Sequence, residues 1–346
     1  MSPETEIAAR RPRRRRALSL PASCAATVFG ATIAAAGLML AAAGPALAAS
    51  TVPGTDCPFF PPDNWFQADV STLPVHKRSD AWMENMSSDV NLHPDFGPSF
   101  GEISVPYGIP ITVVDGDHKR VEVKFFYASQ SDRVRYPLGG DTKVEGGQYK
   151  EGDRHTVVVD RDSCTLYETW ATSKKKNKWS AGSGAVWDLN SDKLRKDGWT
   201  SADAAGLPIL PLLLRYEEVA AGKVDHAIRF TTDVSDKSYL WPARHQAGSV
   251  SDADFPPMGA RFRLKASFKI SKSLRKDTQA VLRAMKTYGL VLADNGSPWY
   301  FQGTSDTRWK NDMMDELKQI PASAFEAVDT SSLMVSKNSM LVKTPD

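Results

Sequence analysis

The first 48 residues constrain this chain most, because they contain the three parts of an export signal. Six arginines precede an apolar stretch rich in alanine, and that stretch ends at Ala46-Leu47-Ala48. Translocation and signal peptidase require this order of basic segment, apolar segment and small-x-small cleavage site. We therefore predict a signal peptide over residues 1–48, cleaved after Ala48, and a secreted, extracellular protein that keeps no stable membrane anchor. A transmembrane anchor is the alternative, since the apolar stretch is nearly long enough to span a bilayer.

Removing the signal changes the charge of the protein. The whole chain has 43 Lys and Arg against 41 Asp and Glu. Without the six arginines and two glutamates of residues 1–48, 37 basic and 39 acidic residues remain, a net charge of −2. A nucleic-acid partner thereby loses its main support. The basic run Lys174 to Lys178 is interrupted by Asn177, and we interpret it as a solvated hairpin tip, with a polyanion site as the alternative.

The mature chain has enough residues for one domain with a large buried core. Cys57 and Cys164 are its only cysteines, and in an oxidising compartment the simplest expectation is a disulfide between them. Two buried free thiols are the alternative. Residues 49–100 are rich in proline, which predicts an irregular wrap over the surface rather than part of the core.

Residues 101–346 have the pattern of a single mainly β domain. Apolar residues alternate with polar ones through one segment after another, and turn residues separate the segments. The pattern predicts a hairpin from Ile103 to Tyr127, a long strand from Thr156 to Thr172, and a second hairpin that turns at Asp294-Asn295-Gly296. Two or three short helices are expected, beginning near Pro211, Asp277 and Thr307. A two-sheet β-sandwich, with a jelly roll as one form of it, would bury these strands.

Four blocks of sequence resemble a family of exported, uncharacterised bacterial proteins over most of the mature chain. The blocks are His93-Pro94-Asp95-Phe96-Gly97, Gly152-Asp153-Arg154-His155, Ser201-Ala202-Asp203-Ala204-Ala205-Gly206-Leu207-Pro208 and Tyr288-Gly289-Leu290-Val291-Leu292-Ala293-Asp294-Asn295-Gly296. The resemblance implies export and a single domain of this length. It implies no catalytic residue.

The first candidate site is acidic. If residues 156–172 form one strand, alternation places Asp160, Asp162, Glu168 and Trp170 on one face. Asp160 and Asp162 would then lie about 7 Å apart, a separation that suits inverting glycoside hydrolysis. The alternative is that Asp160-Arg161-Asp162 is a turn between two shorter strands, since Asp-x-Asp is ordinary turn chemistry. Calcium is the one cofactor that such a loop would suit, because it prefers oxygen ligands.

The second candidate site is basic. His226 and Arg229 lie on one expected strand, and Arg244-His245 follow Trp241-Pro242. Arginine can hold a carboxylate and histidine can move a proton, so these residues would suit an acidic sugar or a β-elimination site. A structural hydrogen-bonding role for each histidine is the alternative.

The nine tryptophans all lie in the mature chain. Indole faces are flat apolar platforms with one polar edge, which suits stacking against sugar rings. Candidate substrate-binding residues are Trp170, Trp187, Trp241 and Trp299. Tryptophans can equally be anchors of the core.

Metal-ligand His/Cys spacings, phosphate-binding loops and dinucleotide fingerprints are absent from the sequence. The serine of Ala181-Gly182-Ser183-Gly184-Ala185 lacks the spacing of a hydrolase elbow. We therefore expect a secreted protein that acts on a polysaccharide or another extracellular glycan, as a glycoside hydrolase or a polysaccharide lyase. The alternatives are a noncatalytic carbohydrate-binding protein and a structural envelope protein.

Overall fold

The computed structural model describes residues 51–99, 107–147 and 152–343. The predicted signal peptide lies outside these residues. Within them the chain forms sixteen strands: β1 His93–Asp95, β2 Ile111–Val114, β3 Val121–Phe125, β4 Arg135–Tyr136, β5 Thr156–Asp160, β6 Thr165–Trp170, β7 Ser173–Lys175, β8 Lys178–Ala181, β9 Ser183–Asp188, β10 Ile228–Thr232, β11 Asp236–Tyr239, β12 Pro257–Met258, β13 Arg261–Leu264, β14 Leu290–Asn295, β15 Tyr300–Gln302 and β16 Phe325–Val328.

The same described ranges contain four short α-helices: α1 Ser79–Glu84, α2 Tyr216–Ala220, α3 Lys276–Thr287 and α4 Asn311–Leu317. The helix expected to begin at Pro211 begins at Tyr216, because Pro211 lies in a separate 3₁₀ turn. Helix α3 ends where predicted, and Gly289 follows it with φ of +74°, a conformation that glycine adopts without steric cost. No helix of the described ranges has the length and apolar character needed to cross a membrane.

The described strands form four open sheets. The largest has the order β1-β15-β10-β14-β13-β16, and two four-stranded sheets have the orders β2-β5-β6-β9 and β4-β3-β8-β7. Strands β11 and β12 form a small pair. The mainly β class is confirmed, whereas the two-sheet sandwich stays a prediction. Parallel pairs such as β10–β14 and β2–β5 occur beside antiparallel ones.

At its central strands, the six-stranded sheet has one apolar face and one polar face. Phe230 of β10 packs against Phe262 and Trp299, with ring centroids 5.5 and 5.2 Å apart. The flanking residues Arg229 and Thr231 point to the opposite face, since successive side chains of a strand alternate. Both are buried, so this polar face is covered by other parts of the chain.

Three predictions of strand pairing are wrong. Residues Thr156 to Thr172 form two strands joined by a turn, as the alternative interpretation had it. Strands β2 and β3 belong to different sheets rather than to one hairpin. Strand β15 pairs with β10 and β1 instead of β14, because β10 lies between β14 and β15. Turn residues indicate where a strand ends. Which strand it then pairs with depends on how apolar residues from other parts of the chain are buried.

The proline-rich segment is part of the core, contrary to the expectation of a surface wrap. Phe60, Trp65, Phe66 and Met86 are at most 1% exposed, and β1 is an edge strand of the six-stranded sheet. Prolines break regular structure, but they do not prevent the aromatic residues between them from being buried.

The predicted disulfide between Cys57 and Cys164 is present. It ties the proline-rich segment to the turn between β5 and β6, across 107 residues of sequence. In the chain-entropy account, closing a loop of this length restricts the unfolded chain more than the folded one.

We expect the double variant Cys57→Ser, Cys164→Ser to lose about 5 kcal/mol of unfolding free energy, the value that loop closure predicts for about a hundred residues. Urea unfolding of the variant and the oxidised protein measures the difference. Reduction of the unaltered protein should cause a loss of the same size. A loss below about 1 kcal/mol would mean that the unfolded chain is already compact around this link.

Candidate functional site

A cavity of about 460 Å³ opens beside the carboxyl ends of the parallel strands β10 and β14. Its wall includes residues from six separate parts of the chain. They are Tyr127, Asp153, Trp170, Asp203, His245 and Asp294. A concave site with a few convergent polar groups is the usual form of a small-molecule or substrate site.

A β-bulge directs Asp294 onto the polar face of the sheet. Val291 pairs with Arg229 and Leu292 with Phe230, but the register then shifts so that Asp294 pairs with Thr231. Without the shift, alternation would have placed Asp294 on the apolar face with Leu292. The extra residue, Ala293, thus lets a carboxyl group follow a run of core residues without being buried among them.

Asp203 reaches the same face from a loop. Its carboxylate accepts two hydrogen bonds from Arg229, at 2.7 Å from Nη2 and 3.2 Å from Nε. The Ser201 hydroxyl accepts a bond from the Asp203 backbone N–H at 2.9 Å, and Ala205 N–H donates to the Ala293 carbonyl oxygen. The loop is therefore fixed both by its own turn and by the edge of β14.

The Asp294 carboxyl is the titratable group that the cavity perturbs most. Burial, reinforced by the nearby Asp203 carboxylate, raises the pKa of Asp294 to about 7, although Arg229 at 3.9 Å and His155 act in the opposite direction. Its side chain remains 22% exposed. A carboxyl group of this kind is partly protonated at neutral pH and still open to a ligand.

A second buried ion pair lies near Asp294. His155 Nδ1 is 2.7 Å from Glu145 Oε2. Burial lowers the pKa of His155, but the Glu145 carboxylate outweighs burial and leaves the pKa above its ordinary value. The other ring nitrogen, Nε2, is buried and has no hydrogen-bond partner within the described ranges.

The structure brings two of the sequence-predicted site residues to the cavity, Trp170 and His245. Trp170 is partly exposed, and its ring centroid lies 6.4 Å from that of Tyr127. His245 Nδ1 is 2.9 Å from the Ala204 carbonyl oxygen. The cavity thus combines aromatic rings with three aspartates.

The acidic candidates Asp160, Asp162 and Glu168 do not line this cavity. Asp160 accepts bonds from Arg120 and from the backbone N–H groups of Asp162 and Ser163, so it closes the turn after β5. The Asp162 carboxylate accepts a bond from the backbone N–H of Gly116 at 2.8 Å. The expected common face therefore does not exist, because Asp160 ends β5 and Asp162 lies in the turn that follows.

Glu168 is fully buried. It accepts bonds from the backbone N–H groups of Ile209 and Leu210 and from Trp187 Nε1. Burial raises the pKa of Glu168 to about 7. These contacts hold the 3₁₀ turn at Leu210–Leu212 against β6, so we interpret the role of Glu168 as structural.

The basic candidates are engaged with other parts of the protein. The two ring nitrogens of His226 lie 2.9 Å from Glu218 Oε1 and 2.7 Å from the Ala227 carbonyl oxygen. Arg244 is buried and donates to the backbone carbonyl oxygens of Arg195 and Lys337. Arg229 is held by Asp203 behind the cavity.

The other tryptophan candidates pack within the protein. Trp187 and Trp299 are buried, and Trp299 donates to the Met86 carbonyl oxygen. Trp241 is partly buried, packs edge-on against Trp65 and donates to the Ser339 carbonyl oxygen. Of the four tryptophans predicted to bind substrate, the cavity therefore includes Trp170.

A metal site is not apparent in the part of the chain that the structure describes, where no group of three or more His, Cys, Asp or Glu residues could hold an ion. At the turn proposed for calcium, the oxygens of Asp160 already accept from a guanidinium and two backbone N–H groups.

Comparisons with protein-family models, curated proteins and solved structures found no match. The resemblance to exported bacterial proteins therefore stays a prediction, and a functional proposal rests on the geometry of the cavity.

Sequence reasoning missed Asp153, Asp203 and Asp294. Each lies in one of the blocks of the noted resemblance, but Asp294 was assigned to a hairpin turn. One signal in the sequence could have identified Asp294: it directly follows the apolar run Leu290 to Ala293. A buried strand that ends in Asp can place the carboxylate at the edge of the sheet.

We expect Glu168→Gln to lower the unfolding free energy by about 1–3 kcal/mol, since the amide would place a donor among N–H donors. Urea unfolding at pH 8 measures the loss. The cavity should stay unchanged, because Glu168 lies outside it. An unchanged unfolding free energy in this variant would contradict the structural role of Glu168.

The raised pKa of Asp294 predicts how the stability of the folded protein changes with pH. The pKa is about 7 in the folded protein, against an ordinary value of 3.8, so the folded state binds this proton more tightly. The contribution of Asp294 to stability is therefore present at low pH and lost as pH rises toward 7 and above. In Asp294→Asn, the urea midpoint should fall less steeply between pH 5 and 8 than in the unaltered protein. Parallel curves for the two proteins would contradict the raised pKa.

Proposed function

We propose that the protein is a secreted hydrolase that cleaves glycosidic bonds of an extracellular polysaccharide, with Asp294 as the general acid. The observation that carries this proposal is a carboxyl group with a pKa near neutrality, open to a cavity that also presents an aromatic ring. A protonated carboxyl can donate to the leaving glycosidic oxygen, and the aromatic face can hold the sugar.

The second carboxylate of the reaction would be Asp153. Three aspartates line the cavity, but Asp203 is committed to Arg229. Asp153 is exposed, so it can activate a water molecule. Asp294 would protonate the departing oxygen while Asp153 takes a proton from the water that attacks the anomeric carbon, and the products together gain one molecule of water.

The burial and hydrogen bonding of Arg229 and Arg244 favour hydrolysis over β-elimination. A lyase needs a cation that neutralises the uronate beside the abstracted proton. Arg229 and Arg244, the sequence candidates for that role, are both buried and hydrogen-bonded to protein oxygens. Neither lines the cavity.

A noncatalytic carbohydrate-binding protein is the second candidate. It is favoured by the exposure of aromatic rings next to the cavity, since Phe126 is 81% and Tyr127 43% exposed. A binding protein would need these rings but would not need Asp294.

Incubation with neutral and uronic polysaccharides in H₂¹⁸O, followed by mass spectrometry, tests the proposal. A hydrolase incorporates one ¹⁸O per cleavage, whereas a lyase leaves unsaturated ends. Asp294→Asn should lower turnover by about 10²-fold or more, because it removes the general acid. Asp315→Asn, a change at an exposed position on α4, is the matched control and should keep full turnover.

The pH profile gives an independent check. Since the acid must be protonated, kcat should fall as pH rises above about 7. Asp162→Asn tests the sequence-based site in the same assay, and loss of turnover there would favour that site over the cavity. Binding without cleavage of any polysaccharide would contradict the hydrolase and favour the binding protein.

A further inference from the structure

A row of three aromatic side chains, Phe126, Tyr127 and Trp170, leads from the surface into the cavity. The rings of Phe126 and Tyr127 meet edge to face with centroids 4.8 Å apart, and Tyr127 lies 6.4 Å from Trp170 at an angle of 31°. Tyr127 and Trp170 line both the cavity and an adjoining surface depression of about 570 Å³. The depression and the cavity therefore adjoin each other along these two rings.

The local structure holds this aromatic row in place. Phe125 is buried in a small core, so alternation turns Phe126 outward. The backbone N–H groups of Phe126 and Tyr127 donate to the carbonyl oxygens of Ala181 and Gly182 at 3.0 and 2.8 Å. At Gly182 an added Cβ would overlap the Trp170 ring. Glycine at this position thus lets the indole lie against the backbone.

Three lysines share the exposed sheet face with Phe126. Lys124 precedes Phe126 by two residues and lines the depression. The register pairs Lys124 with Ser180, and Lys175 with Lys178, so Lys175 and Lys178 project on the same side. The predicted hairpin tip is confirmed by β7 and β8.

The charge of this face is positive. Glu122 lies on it too, but Arg135, its partner in register on β4, lies on the same side and adds a further positive charge. Lys124, Lys175 and Lys178 form no salt bridge within the described ranges 51–99, 107–147 and 152–343. A face of this kind offers apolar rings for sugar stacking and unpaired cations for acidic groups.

We propose that the aromatic row and these lysines bind the acidic sugar units of the polysaccharide, which bear carboxylate or sulfate groups, and lead the chain into the cavity. The inference rests on the proposed function, whose substrate class it narrows to anionic polysaccharides. The two rings shared by the depression and the cavity favour an extended polymer over a membrane surface, because a flat bilayer cannot follow the rings into a depression.

Binding measurements in the Asp294→Asn variant test the inference without cleavage. Isothermal titration would compare a polygalacturonate oligomer, a sulfated oligosaccharide and a neutral glucan oligomer of matched length, at low and high salt. We expect Lys124→Gln to weaken binding of an anionic oligomer about three- to tenfold at low salt, and less at high salt, because exposed charges are screened. Binding of the neutral oligomer should not change.

The aromatic row has its own variant. Phe126→Ala should weaken binding of the anionic oligomer about fivefold at either salt concentration, since stacking does not depend on screening. The side chain is 81% exposed, so the fold should persist. Lys272→Gln, at an exposed lysine elsewhere, is the matched control and should bind as Asp294→Asn alone does.

Several outcomes would overturn the inference. They are equal affinity for neutral and anionic oligomers, unchanged affinity in both Lys124→Gln and Phe126→Ala, or tighter binding to anionic phospholipid vesicles than to any oligomer. Failure of the proposed function would look different. In that case the oligomers would bind as expected, but the unaltered protein would release no cleavage product.

Discussion

The buried pair between Arg229 and Asp203 is the interaction on which the site depends. Arg229 lies in the middle of the six-stranded sheet, and Asp203 comes from a loop that crosses its polar face. Both side chains are at most 3% exposed. Leaving either charge alone in this environment would be strongly destabilising, so the pair holds the loop to the sheet at one defined position.

The same pair sets the electrostatic environment of Asp294. Arg229 is 2.7 Å from Asp203 but 3.9 Å from Asp294. Its positive charge therefore interacts mainly with the closer carboxylate, that of Asp203. Asp294 is left with a neighbouring negative charge and little solvent, and its pKa rises accordingly. Two chemically identical side chains thus acquire different roles from their distances to one guanidinium.

Several parts of the structure could be predicted from local pattern. Alternating apolar residues indicated a β-rich chain, Gly289 marked the end of α3, and the two cysteines indicated the disulfide. Strand partners could not be predicted in this way. The pattern around Asp115-Gly116 indicated a turn correctly, whereas Asp294 and Asn295 are the last residues of β14 and the turn follows them. Strands β2 and β15 pair with strands distant in sequence.

The sequence by itself determined the strand-forming segments, the covalent link and a supply of carboxylates and aromatic rings, because these depend on residue type and local spacing. Only the tertiary structure decided which of them meet. The bulge at Ala293 placed Asp294 on the polar face, while burial took Glu168, Trp187 and Trp299 into the protein. A site is a set of distances between remote segments, and those distances follow from packing that no single segment specifies.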